Sequence, residues 1–362
     1  MIITASYEAK SAGVRVGMRR IEALKLCPDL IFVETEPSKY RHVYHKLLNI
    51  MNSYSPDVKM KSIDEGVIDF KNNQNLLRGQ SLEQIGKEIK QRLKTEIGCW
   101  MKCNIGIATN QFLAKTAAGL HKPDGFDIIT HQNLRKVLSK LKLQDLTGIA
   151  KANERRLILA GINTPLEFLD ADEAVLKQQV FKSICGTQWY YRMRGFEVDN
   201  YDNDIKTVGR QYVLESNNLS RQQIEQRLFH LCEDVGAKLR SKNRIARGIE
   251  VYAHTYDHNY WHARHKFDIP FFTDKTIWQL VKRLFVKAPN NIREIGVTCY
   301  GLEVSTNNQL SIFQDTVVRE ENIQKAIDNI NYRFGERTIH CAETLQTCMV
   351  KTKIPFGSTR YL

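Results

Sequence analysis

Asp64 and Glu65 stand side by side in Lys61-Ser-Ile-Asp-Glu-Gly-Val-Ile-Asp-Phe70, an apolar-alternating stretch of the kind that builds a buried strand. Two adjacent carboxylates there point to a bound cation, and Mg²⁺ engaged with phosphates is its natural occupant. Strand side chains alternate faces, so both acids reach one ion only with strand twist or with a third acid from a neighbour. The competing reading is a solvent-facing turn acid beside an edge-strand acid. Tyr7-Glu8-Ala9-Lys10 sets a ring and a cation where a strand runs into a helix, a good place to hold a phosphate. A plain surface helix start is the alternative. Lys122, in His121-Lys-Pro-Asp-Gly125 just past a helix expected over 110–120, can reach a triphosphate as a point charge or simply be solvated. Leu146-Thr-Gly-Ile-Ala150, a helix, and then Leu159-Ala-Gly-Ile-Asn163 have the form of a helix-hairpin-helix. Gly148 would let backbone N–H groups approach a DNA phosphate, a grip that ignores sequence; a plain helical hairpin is the alternative.

The overall balance agrees with a polyanionic partner. The 362 residues hold 53 Lys and Arg against 40 Asp and Glu, a formal charge of +13, which favours nucleic acid or a membrane surface. No run of 18 uninterrupted apolar residues appears and the N-terminus lacks the order of a secretory signal, so a soluble cytoplasmic protein with no membrane role is expected. The eight cysteines form no C-x-x-C pair and read as reduced structural thiols, with no zinc site. Lys238, Arg240, Lys242, Arg244 and Arg247 crowd one stretch ahead of a strand, and aromatics at 252, 256, 260 and 261 follow. Phosphate tracking is one reading; a solvated basic loop over an aromatic core explains the aromatics better. His254, His258, His262 and His265 resemble a metal cluster at helical spacing, yet their alternating, β-branched context predicts a hairpin that disperses them.

These groups need elements to hold them. The β-branched start, 1–5, reads as a strand, 8–26 as short helices broken at Gly13 and Gly17, and 39–52 as a helix. A strand around Asp64, a Ser-initiated helix over 81–96 and a strand over 103–108 follow, an α+β sheet domain. The stretch 133–191 reads as helical, punctuated by Gly148, Gly161 and Gly186. Beyond the polar segment 199–204 come strands over 249–256 and 261–269 around an Asp257-His-Asn turn, with helices near 221–240 and 274–287. Gln309-Leu-Ser-Ile-Phe313 is a peptide able to dock side chains in a partner groove, and a helix over 320–334 succeeds it.

In this order the residues resemble a Y-family translesion DNA polymerase of the bacterial DNA polymerase IV branch, over essentially the whole chain. Thr4-Ala-Ser-Tyr-Glu-Ala-Lys10 with Gly13-Val14 and Gly17-Met18 looks like the fingers motif, and Ser62-Ile-Asp-Glu65 like the palm carboxylate motif. Asn104-Ile-Gly-Ile-Ala108 through Ala114-Lys-Thr-Ala-Ala118 and Lys122-Pro-Asp-Gly125 looks like the stretch that closes the palm. Thr207-Val-Gly-Arg210 and Ile292-Arg-Glu-Ile-Gly-Val297 resemble the start and last strand of the little finger, and Gln309 to Phe313 the sliding-clamp peptide.

The resemblance implies a multidomain α+β right hand: fingers and an incomplete palm over 1–130, a helical thumb with the helix-hairpin-helix over 131–200, a linker over 201–206, an α/β little finger over 207–304, and a tail over 305–362. Asp64 and Glu65 would be catalytic and hold two Mg²⁺ ions that bracket in-line attack on the α-phosphate. Thr4, Tyr7, Lys10 and Lys122 would bind the dNTP. Gly148, Ala150, Lys151, Arg210, Arg244 and Arg247 would bind primer-template DNA, and Gln309, Leu310, Ile312 and Phe313 the sliding clamp, with the enzyme a monomer. Fidelity would be low, because small fingers build little differential binding against misfits. Three departures accompany the match. The family's opening segment, with the first palm strand, another metal-binding aspartate and the aromatic that excludes ribonucleotides, has no counterpart in the sequence. Lys10 stands where arginine is usual, and Ala150 replaces the second hairpin glycine. The rival readings are a noncatalytic protein that binds DNA and clamp, and a nuclease, for which no water-activating base is found.

Overall fold

The computed structural model describes residues 1–77, 79–199, 204–305 and 314–347. The chain divides into two compact units that change over between Asn200 and Tyr201, within the polar segment expected to link domains.

The first unit opens without the strand expected over 1–5. Ile2 instead donates its N–H to Met18 O at 2.8 Å and accepts from Gly17 N at 2.9 Å. That folds the start of the chain onto a small core of Ile2, Ala9, Val14 and Ala23. Around it lie helices α1 (Tyr7–Ser11), capped by Ser6, and α2 (Arg20–Leu26). Helix α3 (Pro37–Asn52) starts on proline at its first turn, where the missing N–H costs nothing. Strands β1 (Val58–Met60) and β2 (Gly66–Ile68) pair antiparallel, Met60 opposite Gly66. The strand expected around Asp64 is therefore corrected: the two acids sit in the connection between β1 and β2. Helix α4 (Leu82–Arg92) carries a full capping box from Ser81 and Gln84.

Strands β3 (Ile105–Ile107) and β4 (Phe126–Ile128) pair parallel across helix α5 (Gln111–Leu120), a βαβ unit. Gly106 makes this crossing close, since a β-carbon there would meet Ala114 O at 1.9 Å. Helices α6 (Leu134–Leu138), α7 (Lys151–Leu159), α8 (Pro165–Asp170), α9 (Glu173–Val175) and α10 (Ile184–Met193) follow. Gly186 does not break a helix. It lies inside α10, where a β-carbon would meet Lys177 backbone atoms at 2.4 Å. Phe112, Leu113, Ala117 and Ile129 share one core with Leu138, Leu157, Phe168, Trp189 and Met193, so the division expected at 130/131 runs through common packing.

The second unit is a four-stranded antiparallel sheet in the order β5-β8-β6-β7, with β5 Thr207–Val213, β6 Arg244–Thr255, β7 Tyr260–Phe271 and β8 Ile292–Val304. The hairpin and the helices α11 (Arg221–Ser241) and α12 (Asp274–Phe285) fall where periodicity placed them. Both helices supply apolar side chains to one face: Leu228, Val235, Ile277 and Val281 pack with Ile249, Val251, Ala253 and Ile295. The other sheet face is open, and the hairpin spreads the four histidines along β6, the turn and β7 as expected.

Helix α13 (Gln314–Phe334) docks on this helical layer through its polar side. Arg240 of α11 bonds Asp328 bidentately at 2.6 and 2.9 Å and Asp274 of α12 at 2.8 Å, while Lys275 reaches Glu320 at 2.7 Å. Glu233 of α11 takes Arg337 at 2.5 Å and the Cys341 N–H at 2.9 Å. A short helical turn, Ala342–Thr347, closes over α11, where Thr347 Oγ1 lies 2.8 Å from His230 Nδ1. The region after 305, expected as a tail, is over 314–347 part of this unit's packing.

Candidate active site and nucleic-acid surface

The turn carrying Asp64 and Glu65 is closed by its own backbone. The N–H groups of Lys61 and Ser62 both donate to Glu65 O, at 2.8 and 3.1 Å, with Ser62 and Ile63 buried beneath. Ser62 Oγ donates to Asp64 Oδ1 at 2.6 Å and fixes that carboxylate, which is otherwise exposed. Glu65 receives Lys115 Nζ at 2.7 Å on both oxygens, so α5 supplies a cation to the turn. Two hard oxygen donors, exposed Asp64 and part-exposed Glu65, on one turn suit Mg²⁺, which takes one or two carboxylates and completes its shell with phosphates and water. Among the described residues no group of three or more His, Cys, Asp or Glu gathers at a metal-binding distance. Lys115 was not foreseen, although its position in the Ala114-Lys-Thr stretch was the available signal.

The anion-binding candidates lie on separate elements. Thr4 is exposed two residues before the cap of α1, and on that helix Lys10 Nζ sits 5.1 Å from the centroid of the half-exposed Tyr7 ring. Lys122 is exposed beyond His121, the C-cap of α5. Gly148 takes φ +96°, against the Trp189 ring, and delivers the chain to α7, whose N-cap Ala150 makes no side-chain cap. The first N–H groups of α7, flanked by exposed Lys151, are thus free of side-chain capping and suited to a phosphate. A 3₁₀ turn, Leu143–Asp145, precedes the Gly148 turn in place of a full helix.

In the second unit the expected cations are largely spoken for. Arg210 shares the strand parity of buried Val208 and Tyr212, and so points to the helical side, 3.6 Å from Asp234 of α11. Burial pushes Asp234 up to about 6 against the pull of Arg210, and burial beside Arg210 draws Lys238 down to about 7. Arg240 is enclosed by Asp274 and Asp328. Arg244 pairs with Asp204 at 2.6 Å and Arg247 with Glu303 at 2.6 Å, both within β6 and not ahead of it. The aromatic core expected beneath a basic loop is corrected as well. Trp261 turns inward toward Phe285, but Tyr252 and Tyr260 stand on the open sheet face with His254 and His262, ring centroids 4.9 to 6.0 Å apart. Arg264, on the same face, covers the Tyr300 ring at 4.8 Å. Strand parity was the signal that separates these two sets. Gln309, Leu310, Ile312 and Phe313 lie outside the described residues, between the end of β8 and the start of α13.

Residues 1–119 match the model of the impB/mucB/samB family, and residues 205–312 match that of the same family's C-terminal domain. The chain belongs to the Y-family of DNA polymerases. Among its relatives, the DNA polymerase IV of Clostridium acetobutylicum is 28% identical over 350 residues, covering 94% of this chain and 85% of that one. That of Pelotomaculum thermopropionicum is 29% identical over 352 residues, covering 95% and 86%. In fold, this Y-family chain is similar to a Y-family polymerase chimera of Dbh and Dpo4, with a TM-score of 0.67 at 24% identity over 83% of this chain and 87% of the other. It is also similar to the insertion ternary complex of Dbh DNA polymerase, with a TM-score of 0.55 and the same identity and coverage. No helix among the described residues is long and apolar enough to cross a membrane.

Proposed function

We infer that this chain is a DNA-directed DNA polymerase of the lesion-bypass type, extending a primer along a template at sites of DNA damage. The observation that carries the reading is the carboxylate pair on a backbone-closed turn, inside a chain matched along its length by DNA polymerases IV. Asp64 and Glu65 are the residues that would hold Mg²⁺, which when bound activates the primer 3′-hydroxyl and neutralises charge on the triphosphate. Lys115 holds Glu65 by both carboxylate oxygens, and Ser62 keeps Asp64 from rotating away. Thr4, Tyr7, Lys10 and Lys122 are proposed to bind the dNTP. Primer-template DNA is proposed to lie on Gly148, Ala150 and Lys151 through backbone phosphates, and on the open sheet face through Arg264 and its aromatic neighbours. Residues 309–313 are proposed to attach a monomeric, cytoplasmic enzyme to the sliding clamp.

The test is primer extension with four dNTPs and Mg²⁺ by the full chain and by Asp64→Ala. Extension that disappears in the variant, with primer-template affinity retained, is expected. Equal extension by both would overturn the metal assignment. DNA and clamp binding without extension by either would leave the noncatalytic reading in its place.

A further inference from the structure

Asp127 has an unfinished set of partners. It sits in the middle of β4 with its side chain 15% exposed, and its Oδ2 is buried with no hydrogen-bond partner. Its Oδ1 lies 2.7 Å from His121 Nδ1, the one partner found for this carboxylate among the described residues. A carboxylate withdrawn from water is costly unless a donor or cation compensates it, and here the imidazole does so. His121 itself is 76% exposed at the end of α5. A histidine kept for packing would show the reverse pattern, with the ring inside and the acid outside. Here the buried acid orients the ring: Nδ1–H donates to Asp127, and Nε2 faces solvent. Carboxylates aim imidazoles at reacting or ligating atoms in this way in many unrelated sites.

The surroundings define what Nε2 would meet. Lys122 follows directly in the chain. Asp124, the other nearby acid, is occupied by Lys90 at 3.0 Å and Lys94 at 3.5 Å, so it does not compete for cationic partners. Six residues earlier on the same helix, Lys115 touches Glu65. At about 1.5 Å of rise per residue the axis of α5 climbs roughly 7.5 Å from Lys115 to its last residue, Leu120, with His121 capping it beyond, a rise on the scale of a triphosphate chain. We propose that His121, positioned by Asp127, is a nucleotide-binding residue that, with both ring nitrogens protonated in the complex, donates Nε2–H to a phosphate oxygen of the incoming nucleoside triphosphate beside Lys122. The inference rests on the reading of Lys122 as a triphosphate ligand.

Single-nucleotide insertion by the full chain on a primer-template, with dNTP varied at fixed Mg²⁺, separates the two. His121→Gln should raise KM for dNTP about tenfold, the effect of one charge-assisted hydrogen bond, while kcat and the primer-template Kd stay within twofold. Asp127→Asn should raise KM in the same direction, and the double variant should be no worse than His121→Gln, because Asp127 acts through the ring. His121→Arg should restore most of the affinity. If Lys122→Ala raises KM but His121→Gln leaves it unchanged, the inference fails and the Lys122 reading stands. If neither variant changes KM, this end of α5 does not hold the triphosphate and both fail. A His121→Gln effect on DNA affinity in place of KM also overturns the proposal.

Discussion

Gly106 is the most informative single site to perturb, because it sets the distance between β3 and the helix that presents Lys115 and His121. A β-carbon at this position would lie 1.9 Å from Ala114 O, 2.4 Å from Ala118 N and 2.9 Å from Ala117 Cβ. All three belong to α5, and two are backbone atoms that no rotamer change can move aside. Recovering ordinary contact requires α5 to retreat by about 1.5 Å, or the sheet to yield by the same amount. Overpacking of this kind costs about 1–3 kcal/mol. For a unit of this size that is a fall in Tm of roughly 2–12 °C. The catalytic consequence is larger, since displacement of positioning groups by about 1 Å can lower a rate on the order of 100-fold. Gly106→Ala should therefore melt earlier and insert nucleotides far more slowly, with both read on one preparation by thermal denaturation and single-turnover insertion. Gly119→Ala is the internal control: nothing lies within 4 Å of its β-carbon, so the same methyl should be neutral or slightly stabilising. A Gly106→Ala protein with unchanged Tm and insertion rate would refute the close approach and the positioning argument built on it.

Replacing Leu310 and Phe313 by alanine should remove stimulation of synthesis by the clamp and leave basal extension intact; unchanged stimulation rules the peptide out. Burial, reinforced by Arg337, holds His230 down to about 3, far below its ordinary value of 6.5. The unfolded chain then binds the extra proton first, so stability should fall as pH drops from 6.5 toward 3. His230→Gln should flatten that dependence in urea titrations at pH 7 and pH 5, and an unaltered slope would contradict it. Affinity for primer-template should drop steeply with added salt and show no sequence preference, and a sequence-selective footprint would count against phosphate-based binding.

The long amphipathic elements were legible from sequence. The helix expected near 221–240 is α11, which runs from Arg221 to Ser241, because twenty-one residues of consistent periodicity leave little freedom. Short elements of the first unit were less legible. Asp64 lies in what reads as an alternating strand, yet two backbone bonds to Glu65 O turn the chain there, and such a turn leaves no mark in side-chain pattern. Cations were visible as charge but not as direction. Arg210 and Arg240 looked available to DNA, whereas Asp234, Asp274 and Asp328 claim them from segments up to 88 residues away. The His121 and Asp127 pair escaped notice for a related reason: the chain reverses between them, so their separation in sequence gave no helical or strand spacing to recognise.

The seam that holds α13 has a topological meaning. Ser305 is bonded through its N–H to Asn243 O, and α13 is fastened to α11 and α12 from Glu320 onward. The end of β8 and helix α13 from Glu320 onward are therefore both held by this unit. A partner proposed to bind the segment that joins them would need a groove open at both ends, through which the main chain enters and leaves. A receptor that reads a terminal carboxylate would find nothing to grasp, and the proposed peptide moved to the bare end of another polymerase would fill such a groove from one side only.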